Sequence, residues 1–177
     1  MIRLLDDALL SARAGSGALD EELIDLGAML RADIADMSRN GGRDGGRNGM
    51  AVDLDPGSPA GEVLVLGDRL ALRRILSNLI DNAIKYGRVA HVGLEVSGRD
   101  AVITVRDEGP GIAAELRHTL LEPFIRGEPS RARQTGGAGL GLAIVRTLVE
   151  AHAGRIDIDT APSGGAEVRV ALPLFYG

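Results

Sequence analysis

The chain has 177 residues, a length typical of about one domain, and 45% of them are hydrophobic, which is ample for a packed core. A formal net charge of −5 argues against a general nucleic-acid binder, and the absence of cysteine excludes disulfides, cysteine-ligated zinc and thiol nucleophiles. No apolar run approaches the roughly 20 residues of a membrane helix and no signal peptide is evident, so we expect a soluble chain without direct membrane contact. The absence of cysteine is compatible with a reducing cytoplasm, and we expect a cytoplasmic location.

The first half of the chain is predicted to mix helices and strands. We expect helices at 1–13 and 27–37 and short strands at 23–26, 50–54 and 63–66. The polar, glycine-rich segment 40–49 is expected to be a flexible connection. Asp68 is placed to cap a long helix that follows it.

The second half is predicted to end in a β-hairpin. We expect strands at 89–96, 101–105, 155–159 and 166–172, and helices at 113–121 and 140–153. Gly154 is expected to close the last helix, and 122–136 reads as a polar, irregular segment. The order is not a regular βα alternation, which disfavours a doubly wound parallel sheet. We therefore predict an α+β fold, a two-layer α/β sandwich in which a mixed β-sheet is covered on one face by helices.

The stretch from Asn78 to Tyr86 reads as an amphipathic helix whose wet face carries two amides and an ammonium. At about 100° per residue, Asn78, Asn82 and Lys85 fall within a narrow arc, with Tyr86 at its edge. Asparagine is unfavourable inside a helix, so two of them one turn apart indicate ligand binding more than helix stability. Amide oxygens suit Mg²⁺ and an ammonium suits phosphate. The alternative is an ordinary solvated helix face.

Two glycine-containing motifs follow in the second half. Segment 107–111 stands at a strand end, where the carboxylate of Asp107 can accept a hydrogen bond from an exocyclic amine such as that of adenine. Gly137, Gly139 and Gly141 lead into a helix N-terminus, which favours anions. An ordinary turn and a flexible hinge are the respective alternatives.

Taken together, in this order and spacing, the motifs resemble those of the catalytic ATP-binding domain of bacterial sensor histidine kinases, within the GHKL or Bergerat-fold ATPases. The family's N, G1, F and G2 boxes are matched by residues 78–86, 107–111, 122–126 and 137–142. The final strand, 165–173, is also similar, and the resemblance covers residues 20–173. It implies a catalytic domain at 17–177 that binds ATP and Mg²⁺, preceded at 1–16 by the end of the second dimerisation helix.

The resemblance also implies a role for each matching residue. Asn82 would coordinate Mg²⁺, and Asn78 would contact the nucleotide phosphates or a metal-bound water. Lys85 would hold a phosphate, and Asp107 would hydrogen-bond the adenine amine. Segment 121–138 would form a mobile ATP lid. The residues that it implies for catalysis are Asn78, Lys85 and Arg126. The other nucleotide-binding residues that it implies are Tyr86, Gly109, Gly111, Phe124, Arg131, Gln134, Gly137, Gly139, Leu140, Gly141 and Leu142.

A kinase of this family transfers the γ-phosphoryl group of ATP to a histidine on its dimerisation domain. The chain's own histidines, His91, His118 and His152, lack the residues that flank that acceptor, so we expect structural or solvent roles for them. The implied partners are a histidine-bearing dimerisation domain and a response regulator receiver domain, and the chain alone is expected to be a monomer or weak dimer. Two alternatives remain: a serine kinase of the anti-sigma-factor type, and an ATP-sensing module without catalysis.

Overall fold

The computed structural model describes residues 2–40, 51–117, 119–121 and 141–176. In chain order, these residues form α1 (Ile2–Gly15), β1 (Glu22–Asp25), α2 (Leu26–Asn40), β2 (Ala51–Leu54), β3 (Leu64–Gly67), α3 (Arg69–Gly87), β4 (Val89–Ser97), β5 (Asp100–Arg106), α4 (Gly141–Ala151), β6 (Arg155–Thr160) and β7 (Ala166–Pro173). All of these elements were predicted, and they differ from the predictions only at their ends. Within the described ranges, no helix is long and apolar enough to cross a membrane.

Five strands form one mixed sheet, in the order β2-β4-β5-β7-β6. Strand β2 runs parallel to β4, whereas the other neighbours are antiparallel. Strands β2 and β3 flank one turn yet do not pair with each other, because β3 joins β1 in a separate two-stranded sheet. Val65 of β3 bridges Leu174 beyond β7, which attaches the small sheet to the end of the large one.

Helices cover one face of the five-stranded sheet. In β5, Ala101, Ile103 and Val105 belong to the hydrophobic core, and the alternate residues Val102, Thr104 and Arg106 lie on the opposite face. The helices contribute buried aliphatic side chains, among them Leu10, Leu30, Leu72, Ile75, Leu76, Leu79, Ile80, Val145, Leu148 and Val149. The prediction of a mixed sheet with helices on one face is therefore confirmed. We call the opposite face, which carries Asp53, His91, Arg106, Glu167 and Arg169, the open face.

The predicted helix at 113–121 is wrong as a continuous α-helix. The structure has two 3₁₀ turns in this region, Ala114–Leu116 and Thr119–Leu121. The amide of Arg117 donates to the carbonyl of Ala114 at 3.4 Å, which is the i→i+3 bond of a 3₁₀ turn. So short a segment gains few α-helical bonds for the entropy lost on nucleation, and it therefore forms single turns.

The end of α4 also differs from the prediction. Ala153, not Gly154, adopts the left-handed conformation, with φ of 53°. The amides of Gly154 and Ala153 donate to Val149 and Glu150 at 2.9 and 3.0 Å, which is a Schellman motif. Glycine is needed at 154 for another reason, because a Cβ there would lie 2.5 Å from the carbonyl oxygen of Ala171.

Candidate functional site

Helix α3 positions the predicted amides and the predicted ammonium. As predicted, Asp68 caps the helix, since its Oδ1 accepts the amide of Ala71 at 3.1 Å. Along the predicted wet face, Asn82 is half-buried and Lys85 is exposed, but Asn78 is only 8% exposed. The prediction of a wet face is thus wrong at Asn78, because α4 packs over this part of α3.

The start of α4 lies against both asparagines. Nδ2 of Asn78 donates to the carbonyl of Gly141 at 3.5 Å, and a Cβ on Gly141 would lie 3.7 Å from Nδ2 of Asn82. No hydrogen bond joins the amide of Asn82 to another residue in the described ranges, so its oxygen remains available. The first N–H groups of a helix lack intrahelical acceptors and lie at its positive end. An amide oxygen of the kind that can hold a metal therefore adjoins N–H groups of the kind that can hold an anion.

Asp107 is a buried carboxylate at the end of β5, 7% exposed. Its Oδ1 accepts the amides of Gly109 and Ala166 at 2.8 and 3.0 Å, and its own amide donates to the carbonyl of Ala166 at 3.0 Å. Oδ2 takes no hydrogen bond from any described residue. One oxygen thus fixes the side chain, and the other could accept a hydrogen bond from a ligand.

Glycines enclose this carboxylate on several sides. A Cβ on Gly87 would lie 2.6 Å from Cβ of Asp107, and a Cβ on Gly165 would lie 1.8 Å from its carbonyl oxygen. A Cβ on Gly109 would lie 2.8 Å from the carbonyl oxygen of Tyr86, and Gly111 has φ of +75°. Side chains at these positions would collide with the turn or strain it. The end of α3, the Asp107 turn and the last hairpin therefore meet backbone to backbone.

Gly87 and Gly165 belong to the site although sequence reasoning did not identify them. Gly87 carries no sequence signal beyond that of a helix end, and Gly165 none beyond that of a hairpin turn. Even the helix-end signal points elsewhere, because Arg88 is the residue in the left-handed conformation, with φ of 68°. Only the tertiary contact with Asp107 shows why these two positions are glycine.

Lys85 and Tyr86 lie at the exposed end of α3. Nζ of Lys85 stands 5.2 Å from the centroid of the Tyr86 ring, within the range of a cation–π contact. Both side chains are exposed, and Tyr86 retains 60% of its surface. Lys85 follows Asn82 by about one helical turn, so the ammonium lies on the same side of α3 as the Asn82 amide.

Much of the predicted lid lies outside the described residues. This applies to Phe124, Arg126, Arg131, Gln134, Gly137, Gly139 and Leu140, and also to His118. Of the other predicted residues, Gly141 begins α4 and Leu142 packs against the core. The structure therefore brings together Asn78, Asn82 and Gly141, and it places Asp107 and Gly109 against the end of α3. Gly111 lies against the turn between β6 and β7.

The two described histidines have hydrogen-bond partners in the fold. In buried His152, Nε2 accepts the amide of Asp68 at 3.0 Å and Nδ1 donates to the carbonyl of Leu148 at 2.6 Å, which is a structural role. His91 lies between the carboxylates of Asp53 and Glu108. The hydrogen bond to Asp53, followed by that to Glu108, raises the pKa of His91 above its ordinary value.

Asp68 joins four parts of the chain. Besides capping α3, it accepts hydrogen bonds from the amide of Asp20 at 3.0 Å and from the Arg13 guanidinium of α1 at 3.5 Å, and its own amide donates to His152, which lies just beyond the end of α4. Burial acts to raise the pKa of this carboxyl, but the amides of Ala71 and Asp20 and the Arg13 charge together hold it below its ordinary value.

A mixed sheet covered by helices, with an asparagine-bearing helix beside a glycine-enclosed carboxylate, defines the Bergerat type of ATP-binding domain. The family described as histidine kinase-, DNA gyrase B-, and HSP90-like ATPase matches residues 67–175. The chain belongs to this family.

Within this family, the similar curated proteins include bacterial sensor proteins. The probable sensor histidine kinase TcrY of Mycobacterium tuberculosis is 38% identical over 176 residues, which cover 97% of this chain and 35% of TcrY. The sensor protein RstB of Escherichia coli is 44% identical over 110 residues, which cover 62% of this chain and 25% of RstB. The chain therefore spans only a minor part of these curated relatives.

Solved structures of similar proteins share the fold of this chain. The structure of full-length ShkA in complex with AMPPNP matches with a TM-score of 0.76 and 29% sequence identity. The match covers 99% of this chain and 36% of ShkA. The ATP-binding domain of PrrB from Mycobacterium tuberculosis has a TM-score of 0.68 at 26% identity over 89% of this chain and 99% of that domain. The predicted resemblance to the catalytic domain of sensor histidine kinases is confirmed.

Proposed function

We propose that the chain binds Mg-ATP and donates its γ-phosphoryl group to a histidine of a dimerisation domain, as the catalytic part of a two-component sensor histidine kinase. The observation that carries this proposal is the geometry of Asp107. Its buried carboxylate is fixed through Oδ1 by two backbone amides, which leaves Oδ2 as an acceptor. Adenine presents an exocyclic N–H donor where guanine presents a carbonyl acceptor, so this carboxylate favours adenine.

The phosphates would lie at the junction of α3 and α4. The residues fit a magnesium nucleotide, because the amide of Asn82, which hydrogen-bonds to no described residue, adjoins the start of α4 and Lys85 follows one turn later. Mg²⁺ in phosphate sites takes one or two protein oxygens together with phosphate oxygens and water, and it would neutralise phosphate charge. The described residues hold no cluster of three or more His, Cys, Asp or Glu side chains, and such a site requires none.

The chain's role in transfer is positioning and charge stabilisation. Phosphoryl transfer needs little covalent chemistry from the nucleotide domain, so oriented amides, an ammonium and the lid residue Arg126 would suffice. Neither described histidine suits the role of acceptor, because both ring nitrogens of His152 and of His91 are already occupied. We therefore assign the acceptor to the dimerisation domain, and a response regulator receiver domain receives the phosphoryl group next.

We also propose that residues 1–16 are the end of a dimerisation helix and that 17–177 are the catalytic domain. Helix α1 packs against α4 and buries Leu10 and Ala14 in the common core. Its last turn reaches the cap of α3 through Arg13 and Asp68. Such a helix would connect a dimerisation domain directly to the nucleotide site.

The test is transfer of labelled phosphate to the dimerisation domain of the intact kinase. The chain is incubated with that domain and Mg-ATP labelled at the γ position, and the product is assayed for acid-labile phosphohistidine. We expect label with wild type and with the exposed control Asp81→Asn, and a strong loss with Asp107→Asn. Acid-stable phosphoserine on a partner would instead support the serine-kinase alternative, and binding without transfer would support an ATP-sensing module.

A further inference from the structure

His91 connects the edge of the sheet to the turn that carries Asp107. It lies on the open face of β4, with Nδ1 at 2.9 and 3.0 Å from the two carboxylate oxygens of Asp53 on β2. Its Nε2 lies 3.1 Å from Oε1 of Glu108, the residue that directly follows Asp107. One imidazole ring thus spans the edge strand and the candidate adenine-binding turn.

The geometry fixes the charge state of the ring. A neutral imidazole has one donor and one acceptor nitrogen, whereas a carboxylate can only accept. Both nitrogens of His91 face carboxylate oxygens, so only the doubly protonated ring satisfies both contacts. The contact with Asp53 is shorter and engages both of its oxygens. Loss of one proton therefore releases Glu108 first.

Other charges facing the ring among the described residues do not reverse this assignment. On β5, Arg106 is the register partner of His91, and its guanidinium forms an ion pair with Glu167. On β4 itself, the next charged side chain of this face is Glu95, which adds negative charge. Beyond β2 lies Asp55, whose Oδ1 accepts the amide of Gly57. The excess of acidic groups favours a positive imidazole.

Glu108 is the residue of the Asp107 turn that contacts His91, on the side of the turn that faces away from α3 and β7. On the inner side, the turn is fixed by the close backbone contact with Gly87 and by the hydrogen bonds of Asp107 to β7. On the outer side, the side chain of Glu108 is held by His91 alone among the described residues. Release of this contact would free one side of the turn without unfolding it.

We propose that protonated His91 is a positioning residue for the nucleotide: it fastens Glu108, thereby orders the Asp107 turn, and makes nucleotide affinity fall as the pH rises through the titration of His91. This inference rests on the proposed function of the Asp107 site. The raised pKa of His91 places that titration above the ordinary range for histidine, so the contact is intact at mildly acidic pH. By linkage, bound nucleotide must in turn raise the pKa of His91 further.

The expected effect is modest because the ion pair is partly exposed. The side chains of His91 and Glu108 retain 39% and 59% of their surface. A pair of this kind corresponds to about a two- to fivefold change in affinity. We expect wild type to bind Mg-ADP about two- to fivefold more weakly at about pH 8 than at about pH 6, beyond the change caused by titration of the nucleotide itself.

Calorimetric titration of the full chain with Mg-ADP at both pH values tests this directly. The variants His91→Gln and Glu108→Gln remove one side of the contact each, and dividing wild-type by variant affinity at each pH cancels the titration of the nucleotide. We expect the ratio to fall towards one at the higher pH. Asp53→Asn retains Glu108 but lowers the pKa of His91, so it should move the transition to lower pH.

Two results would overturn the inference. One is equal pH dependence in wild type, His91→Gln and Glu108→Gln. The other, which needs no variant, is an unchanged His91 pKa in NMR titrations of the wild-type ring with and without Mg-ADP. Absence of nucleotide binding at every pH would overturn the proposed function and this inference together, whereas pH-independent binding would overturn the inference alone.

Discussion

The substitution Gly87→Ala has two opposing effects. It satisfies the preference of a helix for alanine over glycine, and it adds a Cβ where position 87 lies close to the Asp107 turn. Gly87 is the last residue of α3, and alanine in a helix is favoured over glycine by about 1 kcal/mol. In the structure, however, the new Cβ would lie 2.6 Å from Cβ of Asp107 and from the amide nitrogen of Glu108, and 2.7 Å from the amide nitrogen of Gly109. Overpacking of this kind costs about 1–3 kcal/mol, and here backbone atoms must move.

The contact is expected to outweigh the helix preference. After the helix preference of about 1 kcal/mol is subtracted from the overpacking cost, we expect Gly87→Ala to lower the free energy of unfolding by up to about 2 kcal/mol. We also expect it to weaken ATP binding, because the turn that holds Asp107 is displaced. Urea unfolding and calorimetric titration with Mg-ATP measure the two effects. Gly15→Ala is the matched control, since Gly15 is also the last residue of its helix but a Cβ added there would have no neighbouring atom within 4 Å. A Gly87→Ala chain that is as stable as wild type and binds ATP equally well would refute the reasoning.

Two further substitutions test the metal ligand and the cap. Asn82→Ala should leave metal-free ATP binding nearly unchanged but remove the gain in ATP affinity that Mg²⁺ gives. ATP titrations with Mg²⁺ and with a chelator measure this gain. An undiminished gain would exclude Asn82 as the magnesium ligand. Because the pKa of Asp68 is lowered in the fold, its charge stabilises the chain above the ordinary aspartate pKa of about 3.9, and this stabilisation is lost as the pH falls through the folded value. Asp68→Asn should therefore lower stability at neutral pH and flatten the acid side of the unfolding profile, and an unaltered acid side would contradict this role.

Local signals in the sequence predict most of the fold. The cap at Asp68, the apolar stripe of α3 and the turn between β4 and β5, where Gly98 has φ of +62°, all depend on neighbours in the chain. The position of Asp107 was predictable for the same reason, because it stands between a strand and a glycine-bearing turn, whereas its role towards a nucleotide stays a prediction. Residues of the lid, Arg126 among them, lie outside the described part of the chain and stay predictions.

Tertiary contacts account for what sequence reasoning missed. Asn78 is buried because α4 crosses that part of α3, and helical periodicity carries no information about this. Gly87 and Gly165 are required by an approach to Asp107 from helix and hairpin segments distant in the chain. The contact of His91 with Glu108 likewise joins residues of separate elements.

Base selectivity tests the central claim most directly. Oδ1 of Asp107 accepts two backbone amides, so in Asp107→Asn the amide oxygen must take that position and the NH₂ group must face the ligand. The wild-type chain should bind Mg-ATP about 100-fold more tightly than Mg-GTP, because guanine places an acceptor against the carboxylate. Asp107→Asn should abolish this preference or reverse it towards Mg-GTP. Equal affinity of the wild-type chain for both nucleotides, or unaltered selectivity in Asp107→Asn, would contradict the assignment of Asp107 as the adenine ligand.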